Sequence, residues 1–123
     1  MLLGNVYACP DALDRAGLKS SDIGAWEIHE AFAAQVLSNV RCFDDQKFFK
    51  EKMGRNETLG DIDMDNINLY GGSLAYGHPF AATGGRLIMN LLMALEERNS
   101  QFGIATACAA GGLGSAMVIE KDI

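Results

Sequence analysis

Between residues 71 and 84 the chain reads Gly71-Gly72-Ser73-Leu74-Ala75-Tyr76-Gly77-His78-Pro79-Phe80-Ala81-Ala82-Thr83-Gly84. No other stretch restricts the fold so strongly. Glycines at this density favour a tight loop. A long helix follows, because Leu87, Ile88, Leu91, Leu92 and Leu95 share one helical face ahead of Glu96, Glu97 and Arg98. Just before the glycines, Ile67 to Tyr70 is short and apolar and reads as a strand.

The other elements fit around this unit. Pro10 to Ala16 reads as a helix, with proline at a first helical position, Gly17 as the stop, and Leu13 and Ala16 facing inward. Ser20-Ser21-Asp22 is a turn. Ala25 to His29 alternates as a strand, with Trp26 and Ile28 on one side and Glu27 and His29 on the other. A second helix carries Phe32, Val36, Val40 and Phe43 on a stripe that Ala33 and Leu37 widen. Residues 44–66 form a polar insertion, in which Phe48, Phe49 and Met53 mark a short packed helix and Gly54 to Asn66 an acidic loop. Phe102 to Ala107 reads as a buried strand, Cys108 to Gly114 as a glycine-rich turn and Ser115 to Glu120 as a last strand. Two strands joined by a short loop are most simply antiparallel. The order α, β, α, β, α, β, β specifies an α/β fold, a mixed sheet covered by helices.

The 123 residues amount to one domain, 1–123, and 49% of them are apolar. A chain of this size buries about 65% of the surface it exposes unfolded, enough for a core. Leu87 to Leu95, the longest strongly apolar stretch, contains Asn90 and is too short to span a bilayer. A net charge of −6 argues against nucleic acid, which rewards basic patches. Cys9, Cys42 and Cys108 lie far apart and form no metal-type pair, and an odd number suggests no disulfide framework, so a reducing compartment is the simpler reading. The opening Met1-Leu2-Leu3-Gly4 lacks the basic start and cleavage-type site of a signal peptide. Either the domain begins with a helix or something precedes it.

Three residues have chemistry to offer. His78, fixed by Pro79 and flanked by Gly77, is either a loop histidine without a role or an imidazole that deprotonates a thiol and donates to an oxyanion. Cys108 is either a buried structural residue or a thiol that passes protons both ways, opening a turn whose N–H groups form a small anion nest. His29, in His29-Glu30-Ala31-Phe32, is either a plain strand-end residue or the holder of a water or a carbonyl oxygen. Asp61-Ile62-Asp63-Met64-Asp65 opens like a calcium loop, but Asn66 and Gly72 stand where that loop needs glycine and glutamate, so no metal site is expected.

Taken in order, three segments resemble the thiolase family: His29-Glu30-Ala31-Phe32, then Gly71-Gly72-Ser73 through Gly77-His78-Pro79 to Thr83-Gly84, then Cys108 to Gly114. The resemblance covers nearly the whole chain and corresponds to the carboxyl-terminal domain of these acyltransferases. It implies the thiolase-like fold with a closing antiparallel strand pair. His29 where most members carry asparagine, and the 44–66 insertion, are similar to the branch that pairs with a multifunctional β-oxidation subunit. Such enzymes cleave a 3-ketoacyl-coenzyme A with coenzyme A, giving acetyl-CoA and a shortened acyl-CoA. By motif match His78 would activate the nucleophile and help form an oxyanion hole, His29 would steady a water there, Cys108 would shuttle a proton, and the N–H of Ala110 would serve a second oxyanion hole.

The resemblance implies no cofactor, coenzyme A and acyl-CoA being substrates, and the −6 charge says little against them, since their phosphates need only a few local cations. A homodimer is implied, located in the cytoplasm of a bacterium or in mitochondria of a eukaryote. The acylated cysteine of the family lies in its amino-terminal half, so this chain alone is expected to be inactive. The domain's first strand is expected to be missing from the middle of the sheet, leaving an open position that makes the chain prone to associate. Two other readings compete. One is a catalytically inactive fragment that binds or dimerises. The other is a ketosynthase, whose relatives present two histidines rather than a histidine and a cysteine.

Overall fold

The computed structural model describes residues 2–122, so Met1 of the opening segment lies outside it. Three strands form one sheet: β1 (Ile23–Ile28), β2 (Phe102–Ala109) and β3 (Leu113–Glu120), side by side in that order. β1 runs parallel to β2, and β2 antiparallel to β3. The sheet is mixed, as the sequence predicts. The expected open central position is not found. β1 and β2 pair directly, from Ile23 opposite Phe102 to Ile28 opposite Thr106. Among the described residues the sheet's edges are the outer sides of β1 and β3, so any tendency to associate arises there and not in the middle of the sheet.

Helices cover both faces. α1 (Gly4–Ala16) and α2 (Ala33–Phe43) lie on one, where Val6, Cys9 and Leu13 meet Trp26, Ile28, Phe43 and Ile104. On the other face α5 (Phe80–Arg98) sets Leu87, Leu91, Ala94 and Leu95 against Ala25 and Ala105. Leu92, expected on this apolar face, is 42% exposed, so the buried stripe is narrower than the leucine pattern suggests. α1 begins six residues before the predicted Pro10, which sits in the helix interior. Proline there deprives the Val6 carbonyl of its helical donor. Burial of Val6, Cys9 and Leu13 at helical spacing offsets that loss.

α2 departs from its predicted stripe. Val36 and Phe43 are buried as predicted, but Phe32 and Leu37 are 64% and 54% exposed, and Gln35 and Asn39, at 3% and 0%, join the inward positions. These amides are satisfied. Asn5 Nδ2 donates to Asn39 Oδ1 at 3.0 Å, Gln35 Nε2 donates to the same oxygen at 2.6 Å, and Asn39 Nδ2 donates to the Leu2 carbonyl at 3.1 Å. Buried amides are tolerated once paired in this way. In the insertion, α3 (Gln46–Phe48) runs into a wide turn through Met53 and buries Phe49 completely, the packing role expected of it. Arg55 then binds Asp11 and Asp14 at 2.6 and 2.8 Å and fastens the insertion to α1.

The strand expected at Ile67 to Tyr70 reduces to one bridge between Ile67 and Trp26. Asn68 turns the chain away with φ 49°. Its side chain then does the pairing: Oδ1 accepts from Ile28 N at 2.8 Å and Nδ2 donates to Ile28 O at 2.9 Å. An asparagine amide mimics a peptide group, so the edge of β1 is capped without a strand.

Where α1 meets β3, a Cβ added to Gly114 would land on the main chain of Gly4, and one on Gly4 would land on the main chain of Leu113. Backbone cannot swing aside as a side-chain tip can. Gly114→Ala should therefore destabilise the chain by about 1–3 kcal/mol. Gly84→Ala, where the Cβ meets nothing within 4 Å, should be neutral or stabilising by up to about 1 kcal/mol. Urea unfolding of the two variants checks both signs.

Candidate active site

The carboxyl end of β1 delivers His29, whose backbone N–H donates to the Thr106 carbonyl of β2 at 2.9 Å. The glycine-rich segment comes back over it. α4 (Ser73–Tyr76) is one short turn, and Gly77 then bends the chain at φ 85°, a conformation that favours glycine. His78 follows, and its ring lies 4.3 Å from that of His29, centroid to centroid. Phe80 flanks His78 on another side at 5.1 Å. His29 is only 4% exposed, whereas His78 lies open to solvent beside Phe80. Two histidines 49 positions apart in sequence thus share one site.

Each imidazole is held through its Nδ1. Ser73 Oγ lies 3.0 Å from His29 Nδ1, and Thr83 Oγ1, in the first turn of α5, lies 2.6 Å from His78 Nδ1. Ser73 Oγ also accepts from Arg86 Nη2 at 2.7 Å. Burial, then the neighbouring His78 and Arg86, lowers the pKa of His29, with Glu30 opposing, so His29 stays neutral near pH 7. Arg86 stands 5.6 Å above the Tyr76 ring as well. Glu30 closes the loop onto β1: Oε2 accepts from Leu74 N at 3.1 Å and Oε1 from Asn68 Nδ2 at 2.9 Å. Gly72 makes that approach possible, since a Cβ there would lie 2.6 Å from the Glu30 carboxyl carbon.

Ser73, Thr83 and Arg86 thus surround the histidines although the sequence assigns them no role, whereas Glu30 stands beside His29 at the strand-to-helix junction where site residues are common. One signal was available. Thr83 and Arg86 sit three apart at the start of a helix that follows a histidine loop, on the face that turns toward that loop.

Cys108 is placed differently from the expectation. It does not open the turn but pairs inside β2 opposite Gly114, and the turn proper is Ala110 to Gly112. Gly111 and Gly112 take the left-handed backbone at φ 85° and 77°, which leaves Ala110 outside that region. The longer strand puts Cys108 two residues past Thr106, roughly 7 Å further along. It therefore lies at the same end of the sheet as the histidines, but no hydrogen bond joins it to either among the described residues. Alternation sets it on the Thr106 face of β2, whereas His29 follows Ile28 onto the side of Ala107. Burial pushes the Cys108 thiol above its ordinary value.

A cavity of about 530 Å³ lies elsewhere, between Ala12 and Arg15 of α1 and Ser115 of β3. Around the histidine loop there is a smaller hollow of about 100 Å³ lined by Tyr76, Pro79, Thr83 and Arg86. The smaller hollow is the one beside the histidine pair, because Thr83 of its lining holds His78 and Arg86 of its lining holds Ser73. The three thiols differ in reach. Cys9 is fully buried and pushed up to about 12, Cys108 is 8% exposed, and Cys42 is half-buried. Alkylation of the folded chain near neutral pH should modify Cys42 first, Cys108 slowly and Cys9 only after unfolding. Mass spectrometry of peptides over time checks this order.

The loop, the histidine pair and the strand-end cysteine define a class. Residues 1–121 match the family described as Thiolase, C-terminal domain, and the chain belongs to that family. It is 56% identical over 122 residues to a 3-ketoacyl-CoA thiolase of Photobacterium profundum and 58% identical over the same length to one of Shewanella oneidensis. Each comparison takes in 99% of this chain and 28% of the relative. Among solved structures, human mitochondrial 3-ketoacyl-CoA thiolase in complex with CoA superposes with a TM-score of 0.81 at 31% identity, over 98% of this chain and 26% of that one. The chain thus spans little more than a quarter of the length of these relatives.

Proposed function

We propose that this chain supplies the histidine–histidine–cysteine part of a thiolase active site. The whole site cleaves a 3-ketoacyl-CoA with coenzyme A to acetyl-CoA and a shortened acyl-CoA, the acetyl-CoA C-acyltransferase reaction of fatty-acid β-oxidation. The observation that carries this reading is the imidazole pair, 4.3 Å apart and each fixed through Nδ1. That leaves both Nε2 atoms free for the reacting groups.

The division of labour follows from the two environments. With Nδ1–H donating to Thr83, His78 keeps a lone pair on Nε2 and can take the proton of a cysteine thiol contributed from outside this chain. The thiolate attacks the ketone carbon, and Nε2 of the new imidazolium faces the oxyanion that forms. Buried, neutral His29 holds a water or the oxyanion itself as a second donor. Cleavage of the bond between the ketone carbon and the neighbouring carbon leaves an acetyl-CoA enolate. Cys108, whose raised pKa keeps it a thiol, protonates that carbon. In the second half the Cys108 thiolate takes the proton of coenzyme A, whose sulfur attacks the acyl-cysteine. His78 returns its proton to the departing cysteine. The backbone N–H of Ala110 donates to the thioester oxygen of the enolate.

Coenzyme A and acyl-CoA are the small-molecule partners in this reading. Phe80 and Met89, 86% and 66% exposed, are surface that the rest of a homodimeric enzyme would cover, and a multifunctional β-oxidation subunit would be a further partner. The test is a chimera in which residues 2–122 replace the matching segment of the Shewanella oneidensis relative. It should catalyse thiolysis, while the 123-residue chain alone should not. A folded chimera without turnover, or turnover by the chain alone, would overturn the assignment.

A further inference from the structure

Behind His29 lies a second polar group that the steps above do not use. Glu27 is in the middle of β1, 1% exposed, opposite Ala105 and so on the α5 side of the sheet. Both of its carboxyl oxygens are buried without a hydrogen-bond partner. Two other side-chain atoms share that condition among the described residues, Arg86 Nε and Asn90 Nδ2. These four orphans belong to one place. Arg86 and Asn90 are four apart on α5, the helix packed against the Glu27 side of the sheet, and both favour the ionised form of the Glu27 carboxyl. No hydrogen bond joins the Glu27 carboxyl to Asn90 Nδ2 or to Arg86 Nε. Unpaired buried polar atoms are costly, and two donors opposite one acceptor are complementary.

The same guanidinium reaches the active site. Its Nη2 donates to Ser73 Oγ at 2.7 Å, and Nη1 reaches the Gly77 carbonyl at 3.4 Å. Arginine can only donate, so Ser73 accepts from it and has one proton to give. That proton goes to the acceptor at 3.0 Å, His29 Nδ1. An imidazole that accepts at Nδ1 carries its hydrogen on Nε2. We propose that Arg86, through Ser73, fixes His29 as the Nε2–H donor of the site, and that the buried Glu27 carboxyl is the group that seats Arg86 from the β1 side. Glu27 and Arg86 are then positioning residues.

Charge supports an uncharged Glu27. Burial is the main influence on it and pushes its pKa up to about 8. Asn90 and Arg86 lower it, and Glu30 raises it. The titratable groups around it are thus Arg86 and Glu30, with His29 and His78 on the far side of Ser73. A neutral carboxyl offers a carbonyl oxygen to Arg86 Nε or Asn90 Nδ2 without the desolvation cost of a buried anion.

The catalytic meaning of this relay rests on the thiolase reading, but the test does not. The chain has two histidines, His29 and His78, so long-range proton–nitrogen spectra of ¹⁵N-labelled protein resolve each ring. At pH 7 His29 should show hydrogen on Nε2 and a bare Nδ1. Glu27→Gln, which keeps a neutral acceptor, should leave that pattern unchanged. Ser73→Ala and Glu27→Leu should both give a mixture of tautomers at His29 while the His78 signals stay as they were. A wild-type His29 with hydrogen on Nδ1 would overturn the proposal. So would a Glu27→Gln variant as disturbed as Glu27→Leu, because Glu27 would then act as a charge. Where Glu27→Leu does not fold, the comparison of wild type, Glu27→Gln and Ser73→Ala decides. An Nε2–H His29 in a chimera without turnover would leave the relay standing and sink the thiolase reading.

Discussion

Replacing His78 with alanine in the chimera should lower the turnover of thiolysis by about 10²–10⁴-fold while leaving the protein folded. The substitution removes a group that is open to solvent and bonded to one hydroxyl, that of Thr83. Its loss from the fold should therefore cost little. In the proposed mechanism its loss removes the base that makes the thiolate and one donor to the oxyanion, and each is a transition-state contribution. Turnover should fall much more than the substrate KM changes. Circular dichroism and steady-state kinetics on the same preparation separate the two effects. A variant within twofold of its parent would show that His78 is a loop histidine and nothing more.

A stability that declines as the solution turns alkaline is the second large effect. The Glu27 carboxyl is pushed from an ordinary value of 4.5 to about 8, mainly by burial. Below about pH 4.5 both folded and unfolded chains hold this proton, so the folded state carries no penalty. Between about 4.5 and 8 the unfolded chain releases it and the folded chain keeps it, so stability falls with rising pH. Beyond about 8 the folded carboxyl ionises too and the loss levels off. Each pH unit across that window costs about 1.4 kcal/mol, for a total on the order of 5 kcal/mol. Against a typical stability of about 5–15 kcal/mol the loss is large. Urea unfolding at pH 5 and pH 8 should show it, and Glu27→Gln should remove this part of the slope. Equal slopes in the two proteins would mean that Glu27 ionises as freely in the fold as outside it.

The sequence made the general plan legible for a physical reason. Strands and helices that bury one side repeat their apolar residues, so Trp26 and Ile28, Leu87 and Leu91, and the Phe102 to Ala107 run announce themselves and all belong to the cores. Polar positions inside the fold give no such signal. Gln35 and Asn39 lie outside the apolar stripe of α2, yet they are buried because Asn5 and Leu2 supply Asn39 with partners from 34 and 37 residues away and Gln35 bonds Asn39 in turn. Asn68 cut the expected strand short in a similar manner: its backbone N–H meets the Trp26 carbonyl, and its side chain then takes over the pairing with Ile28.

The site was legible through loop chemistry. Gly77 and Pro79 isolate His78, and the structure brings that residue against His29. Its support was hidden. Ser73, Thr83 and Arg86 look ordinary in sequence, because what they do depends on a 4.3 Å approach of two rings that no local pattern specifies. Cys108 illustrates the opposite error. Glycines at 111, 112 and 114 suggested that the turn begins at the cysteine, whereas pairing with Gly114 carries β2 through Ala109.

Whether the two histidines work as one site is tested most directly by thiolysis with the chimera carrying His29→Ala, His78→Ala and both together. Residues that act as a unit are non-additive in kinetics. Each single variant should therefore lose turnover, and the double variant should fall no more than about tenfold below the worse of the two. Single variants that keep the turnover of the unsubstituted chimera, or a double variant whose loss is the product of two independent losses, would contradict the account.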